Sequence, residues 1–128
     1  MIAGLGIDLV ALERVRRMLE RWGDRVEARL LTRGEREALA KLGEGHRRVE
    51  YVAGRIAAKE AASKALGVPE AIGWHDAEVL PARPLPPQLR FHGVAKARAE
   101  LLGVVRAHLA LTHDAGAAAA VVVLEREG

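Results

Sequence analysis

The first ten residues alternate between apolar side chains and positions with almost no side chain. Apolar residues stand at positions 5, 7 and 9, whereas Gly4, Gly6 and Asp8 occupy the positions between them. Alternation of period two predicts a strand over residues 2–10 with two different faces. Glycines beside a carboxylate leave room for another group to approach the backbone on the Asp8 face. An equally weighted interpretation is that Asp8 ends the strand or caps the following helix.

Residues 11–22 show helical spacing. Apolar positions recur every three or four residues, and Gly23 follows the last of them, which predicts an amphipathic helix. Arginines one turn apart form a ridge on its outer face that would match an acidic helix or a row of phosphates. Glu13 and Glu20 can pair with some of these arginines, so a solvated charged face is the alternative. The ridge comprises Arg14, Arg17 and Arg21, with Arg25 just beyond.

The middle of the chain predicts a second and a third helix. Thr32 and Glu35 have the spacing of a capping box, which opens a short helix ended by Gly43. Residues 44–50 are polar and predict either a loop or the lead-in to a long alanine-rich helix over 51–67.

The remaining segments alternate short strands with one further helix. Residues 81–87 contain four prolines and must be extended, without donating to a central ladder. The last two strands predict a hairpin whose second strand is buried on both faces. The predicted strands are 77–80, 88–92, 108–113 and 117–124, and the helix is 94–102.

The charges of the alanine-rich helix fall on two flanks. Arg55 and Lys59 lie on one flank, and Glu60 and Lys64 on another, with alanines between them. Small residues let neighbouring backbones pack closely, so at least one flank should be covered. A covered charge needs a partner, so Glu60 is the residue that has to be explained.

Composition bounds the class of protein. A length of 128 residues predicts one domain over 1–128, burying roughly two thirds of its unfolded surface. The absence of cysteine excludes disulfides and thiolate metal sites. No leader precedes the first strand, and no apolar run reaches the ~20 residues of a membrane helix. We therefore expect a soluble cytoplasmic protein without a membrane partner.

The charge favours a polyanionic ligand. The net charge is +3, arginine greatly outnumbers lysine, and the pI is about 9.8. Nucleic acid, a nucleotide or an acidic protein would each fit. Aromatic residues make up only 3% of the chain, which argues against single-stranded nucleic acid because few stacking platforms exist.

Three segments together resemble one known family over nearly the whole chain. They are Gly4-Leu-Gly-Ile-Asp-Leu-Val10, Ala53-Gly-Arg-Ile-Ala-Ala-Lys-Glu-Ala-Ala-Ser-Lys-Ala-Leu-Gly67 and Leu111-Thr-His-Asp114, and Leu30-Leu-Thr-Arg-Gly-Glu35 also follows the family's pattern. The chain resembles the bacterial holo-acyl-carrier-protein synthases, the small type of 4′-phosphopantetheinyl transferase. The resemblance implies an α+β fold of the 4′-phosphopantetheinyl transferase type, an antiparallel sheet packed against helices. It also implies a homotrimer with sites shared between subunits.

The implied activity moves phosphopantetheine from coenzyme A to a serine of apo acyl carrier protein and releases adenosine 3′,5′-bisphosphate. The resemblance assigns Mg²⁺ to Asp8 and Glu60, a donor set that suits a hard cation bridging to diphosphate oxygens. It also implies catalytic roles for Glu60, Lys64 and His113. A metal-bound water or Glu60 could deprotonate the serine, and both remain open.

Substrate contacts follow from the same resemblance. Residues expected to bind coenzyme A are Arg55, Lys64, Thr112 and His113, and those expected to dock the acidic helix of acyl carrier protein are Arg14, Met18, Arg21 and Arg25. From spacing alone, a histidine at a strand end such as His113 more often bonds its own loop. Leu85-Pro-Pro87 replaces a Gly-Lys-Pro turn common in the family, so this turn lacks the lysine that the family offers to coenzyme A.

Two other functions fit the residues without the resemblance. One is a small basic module that binds RNA or another polyanion without chemistry, its phosphate contacts spread over the surface and indifferent to Asp8. The other is a structural trimer without activity.

Overall fold

The computed structural model describes residues 1–128 as five strands and five helices. Their order mixes the two types, as the α+β expectation requires. The elements are β1 (Ile2–Ala11), α1 (Leu12–Trp22), α2 (Asp24–Leu30), α3 (Arg33–Ala40), α4 (His46–Leu66), β2 (Ala77–Ala82), β3 (Leu85–Phe91), α5 (Gly93–Leu101), β4 (Val104–Asp114) and β5 (Ala117–Arg126).

Two antiparallel sheets form. The larger has the order β1-β5-β4, and the smaller pairs β2 with β3. Helix α4 lies across one face of the larger sheet and packs on both β1 and β5. In the register of β1 and β5, Gly6 is opposite Val122 and Asp8 is opposite Ala120. The expectation of an antiparallel sheet packed against helices is confirmed.

The glycine face of β1 is the contact surface for α4. A Cβ atom added to Gly6 would lie 2.8 Å from the carbonyl carbon of Ala61 and 2.9 Å from the amide nitrogen of Ala65. Such a close approach requires glycine on the strand and small residues on the helix. The sequence correctly predicted that something approaches this face, but the occupant is the backbone of α4.

The other face of the larger sheet is apolar and open. Leu5, Ile7 and Leu9 are 63%, 67% and 70% exposed. Prediction of a last strand buried on both faces is wrong for the single chain, because β5 buries only alternate residues against α4. Those buried residues are Ala118, Ala120, Val122 and Leu124.

Several element boundaries differ from the sequence prediction. Helix α2 was not predicted, because seven residues carry too little periodicity; it follows Gly23 at a φ of +50° and buries Val26 and Leu30. The polar segment 44–50 is largely the first turn of α4. Strand β3 includes two prolines, which is possible because they lie beside a register shift in a two-stranded sheet.

A buried ion pair joins α3, α4 and β2. The Lys59 ammonium, 2% exposed, lies 2.8 Å from Glu35 Oε1 and donates to the carbonyls of Trp74 and Ala77 at 2.8 and 2.6 Å. Glu35 also completes the predicted capping box with Thr32. Burial lowers the pKa of Lys59, and the charge of Glu35 opposes that shift. The covered flank that the sequence predicted is therefore the Lys59 flank.

None of the helices combines the length and apolar character that crossing a bilayer requires.

Candidate active site

Asp8 and Glu60 meet where the glycine face of β1 touches α4. Lys64, one turn after Glu60, lies with its ammonium 3.1 Å from Asp8 Oδ1 and donates to the Ile7 carbonyl at 3.1 Å. The Asp8 side chain is only 11% exposed. Two carboxylates and one ammonium from distant parts of the chain therefore share one site.

The proximity of the two acids perturbs Glu60. Partial burial, followed by the negative charge of Asp8 and a hydrogen bond with it, raises the pKa of the Glu60 carboxyl above its usual value. Lys64 and Arg14 act in the opposite direction because their positive charges favour the ionised form. An acid held close to another acid is stabilised in its charged form by a bound cation.

The donor set fits a divalent cation. Asp8 Oδ2 is buried and has no hydrogen-bond partner, and a buried carboxylate oxygen without a partner is costly unless something binds it. No group of three or more side chains that could bind a metal occurs in the structure, so Asp8 and Glu60 are the two carboxylates that could bind a cation here. Mg²⁺ is commonly held by one or two carboxylates, with water and phosphate oxygens completing its octahedron.

Apart from the Asp8 and Glu60 site, the chain has a second candidate site. This second cavity, of about 610 Å³, lies near the amino-terminal half of α4. His113 Nδ1 is 3.0 Å from Glu50 Oε2 on its wall. The Arg55 guanidinium lies 4.0 Å above the ring of Tyr51, and its buried Nε has no hydrogen-bond partner. Arginines at positions 47, 55 and 83 line the cavity, and none of them forms an ion pair, so it suits an anion.

The structure therefore divides the expected site residues into two groups. Asp8, Glu60 and Lys64 form one group, and the cavity of His113 and Arg55 shares no lining residue with the groove beside Glu60. Within one chain the two groups therefore do not share a cleft. Thr112 borders the same cavity as His113 but points to the opposite face of β4, the face it shares with Ala119 and Leu9.

Sequence reasoning missed two residues of the second cavity. Glu50 belongs to the polar stretch 44–50 of the sequence, and its helical position facing β4 is apparent only in the fold. Arg83 lies at the β2–β3 turn and lines the cavity, whereas the sequence predicts an extended proline-rich run there. Pro84, directly after it, was the available signal, since proline is favoured in turns.

The arginines of α1 and of the start of α2 fall into two groups, those with an ion-pair partner and those without one. Arg16 pairs with both Glu13 and Glu20, and Arg17 pairs with Glu13 at 3.2 Å, so the predicted ridge loses Arg17. The exposed guanidinium groups of Arg14 and Arg21 on α1, and of Arg25 at the start of α2, form no ion pair, and Met18 lies among them half-buried. We call these four residues the arginine face: Arg14, Met18, Arg21 and Arg25.

An apolar cavity of about 480 Å³ adjoins the arginine face. Met18 and Arg25 line it from that face, and Trp22, Val26 and Trp74 contribute most of its apolar wall. Arg21 stacks over the Trp22 ring at 4.8 Å. The surface thus combines unpaired positive charge with an apolar recess, which suits an acidic partner that also presents an apolar side chain.

Comparisons with known proteins agree with this geometry. A family model described as the 4′-phosphopantetheinyl transferase superfamily matches residues 4–122. Holo-[acyl-carrier-protein] synthases of Solidesulfovibrio magneticus and Streptomyces avermitilis are each 46% identical, over 98% and 97% of this chain and 99% and 98% of theirs. A Bacillus anthracis holo-(acyl-carrier-protein) synthase solved with coenzyme A (3′,5′-ADP) is 36% identical, with a TM-score of 0.80 and 99% of both chains covered. The chain belongs to the 4′-phosphopantetheinyl transferase superfamily, and within it to the holo-[acyl-carrier-protein] synthases.

Proposed function

We propose that this protein transfers 4′-phosphopantetheine from coenzyme A to a serine of apo acyl carrier protein, releasing adenosine 3′,5′-bisphosphate. The observation that carries the proposal is the convergence of Asp8, Glu60 and Lys64, with one buried carboxylate oxygen left without a partner. Anionic oxygens that need a cation and an ammonium beside them match the requirements of a diphosphate substrate.

Asp8 and Glu60 would hold Mg²⁺, which when bound supplies charge neutralisation for the diphosphate leaving group. Lys64 would exchange part of its contact with Asp8 for a phosphate oxygen and would stabilise negative charge as it develops. The Glu60 carboxylate faces the groove that also contains Lys64, so it is the chain's own candidate for accepting the serine proton.

The anion-binding cavity would take the nucleotide end of coenzyme A. Arg55 is oriented by its stacking on Tyr51, and Tyr51 is itself anchored by donating to the Glu35 carbonyl at 3.0 Å. His113 would present its second ring nitrogen to the substrate because Glu50 engages the first. Arg83 offers a cation on the turn where the family's lysine is replaced.

The arginine face would dock apo acyl carrier protein. Its three exposed guanidinium groups are unpaired, so no internal ion pair has to break before they meet an acidic helix. Arg14 is close enough to Glu60 to favour ionisation of that carboxyl, which links the docking surface to the metal site. Electrostatic docking of this kind accelerates encounter and weakens with salt.

The open face of the larger sheet supports a homotrimer. A continuous apolar surface that includes Leu5, Ile7 and Leu9 rarely stays uncovered in a soluble monomer. Association through it would let the Asp8 and Glu60 group of one subunit meet the His113 cavity of another. Light scattering should give three times the chain mass, and Ile7→Glu should dissociate the assembly and abolish transfer. A fully active monomer would exclude the shared site.

Mass spectrometry of the carrier tests the activity. We would incubate the protein with coenzyme A, MgCl₂ and apo acyl carrier protein, and expect the carrier to gain one phosphopantetheine arm. Glu60→Gln should abolish the gain, whereas Glu37→Gln, an equal change at an exposed residue paired only with Arg33, should leave it intact. A wild-type reaction without any modified carrier would refute the proposed function.

A further inference from the structure

The Lys64 ammonium makes two contacts at the site of the two carboxylates. It lies 3.1 Å from Asp8 Oδ1 and donates to the Ile7 carbonyl at 3.1 Å. Its positive charge also lowers the pKa of the Glu60 carboxyl, against the effects of burial and of Asp8. A cation that belongs to the chain therefore already acts on both acids that would bind a metal ion.

Lys64 is the part of this site that is free to move. Its side chain is 49% exposed, whereas that of Asp8 is 11% exposed. Asp8 is fixed by β1, whose glycine face packs against the backbone of α4. A lysine ammonium is a compact, well-hydrated charge on a flexible four-carbon stem, so it exchanges one anionic oxygen for another without a change in the backbone.

The net charge of the site changes with each ligand. When both carboxyls are ionised, Asp8, Glu60 and Lys64 together carry one net negative charge. A divalent cation alone would turn this into one net positive charge, and the cation and the Lys64 ammonium would repel each other at close range. The diphosphate of coenzyme A brings two negative charges and offers Lys64 another anionic partner. Cation and coenzyme therefore favour each other at this site.

We propose that Lys64 couples the binding of the divalent cation to the binding of coenzyme A: its contact with Asp8 weakens cation binding to the coenzyme-free protein, and the diphosphate draws the ammonium away and ends this competition. The inference rests on the proposed function, which supplies the diphosphate as the second partner of Lys64. Coupling of this kind is reciprocal, so the cation strengthens coenzyme binding by the same factor. The cation then binds at full affinity only when a leaving group is present to be neutralised.

Titration of the coenzyme-free protein with Mn²⁺, followed by the loss of the free-ion signal in electron paramagnetic resonance, tests the proposal. Mn²⁺ prefers the same oxygen ligands as Mg²⁺. Lys64→Met removes the competing charge and keeps the length of the side chain, so it should tighten Mn²⁺ binding about fivefold, the upper range for a partly exposed ion pair.

Arg14→Met is the matched control. Arg14 is the other cation that lowers the pKa of Glu60, but it forms no ion pair with Asp8, so its loss should change Mn²⁺ affinity by less than about twofold at physiological salt. Unchanged Mn²⁺ affinity in Lys64→Met, or equal gains in the two variants, would overturn the proposal.

Lysine NMR tests the movement of Lys64 in the wild-type protein without any metal. The chain has four lysines, so the Lys64 signal of protein carrying isotope-labelled lysine is identified by comparison with Lys64→Met. Asp8→Asn should shift this signal because it removes the ion-pair partner. Coenzyme A should shift it in the wild type because the ammonium turns to the diphosphate.

A Lys64 signal that saturating coenzyme A leaves unchanged would overturn the proposal. A protein that shows the coupling between Mn²⁺ and coenzyme A but modifies no carrier would instead refute the proposed function itself.

Discussion

Replacement of Gly6 by alanine should separate the Asp8 and Glu60 carboxylates without touching either of them. Gly6 is two residues before Asp8 on β1, and its Cα faces the backbone of α4 one residue beyond Glu60. The added methyl group would overlap the Ala61 carbonyl oxygen and would lie 2.8 Å from the Ala61 carbonyl carbon, where ordinary contact begins at 3.4 Å. These neighbours are backbone atoms, so no side-chain rotation relieves the overlap.

The size of the effect follows from that overlap. Strand and helix must move apart by more than 0.6 Å, the difference between 3.4 and 2.8 Å for the carbonyl carbon, because the Ala61 carbonyl oxygen lies closer still. Misplacement by 1 Å can cost roughly a hundredfold in rate, so we expect Gly6→Ala to lower kcat by about tenfold or more. Overpacking of a close contact also costs about 1–3 kcal/mol of unfolding free energy.

Transfer to apo acyl carrier protein under saturating substrates, followed by urea unfolding, would measure both effects. Gly54→Ala is the matched control for stability, since it lies in α4 with no atom within 4 Å of the added Cβ. We expect it to gain about 0.5–1 kcal/mol from helix propensity. Unchanged stability and full activity in Gly6→Ala would show that contact between β1 and α4 does not position Asp8 against Glu60.

Three further predictions concern charge. Burial and Asp8 raise the pKa of Glu60 above 4.5, so metal-free protein should lose stability as pH rises through that raised pKa. Glu60→Gln should abolish this loss, and urea midpoints measured across pH would show it. Lys59→Met should lower the free energy of unfolding by about 3–5 kcal/mol, because Glu35 stays buried without a cation. Adding Glu35→Gln should recover part of the loss. Equal urea midpoints for the wild type and Lys59→Met would contradict this prediction. Arg21→Ala should raise the KM for the carrier up to about fivefold at low salt and by less at 0.5 M salt. Arg17→Ala should leave this KM unchanged. Equal increases in KM for the two variants would contradict docking through the arginine face.

The sequence determined the local features and the family. Period-two alternation defined β1 with its glycine face, helical spacing defined α1, and Thr32 with Glu35 defined the start of α3. These features depend on interactions between residues that are close in the sequence, which is why the sequence alone predicts them. The resemblance identified Asp8, Glu60 and Lys64 as one group, and the structure brings them into contact.

Only the tertiary structure decided which partner each face receives. Periodicity shows that a face exists but not what covers it, so the glycine face could not be assigned to α4 from the sequence. The Lys59 and Glu35 ion pair spans 24 residues of chain, and its formation depends on how α3 packs on α4. Likewise Trp74 and Glu50 acquire their positions from loop and helix packing. Long-range contacts of this kind depend on the whole fold, because their energy is gained only when distant segments are already in place.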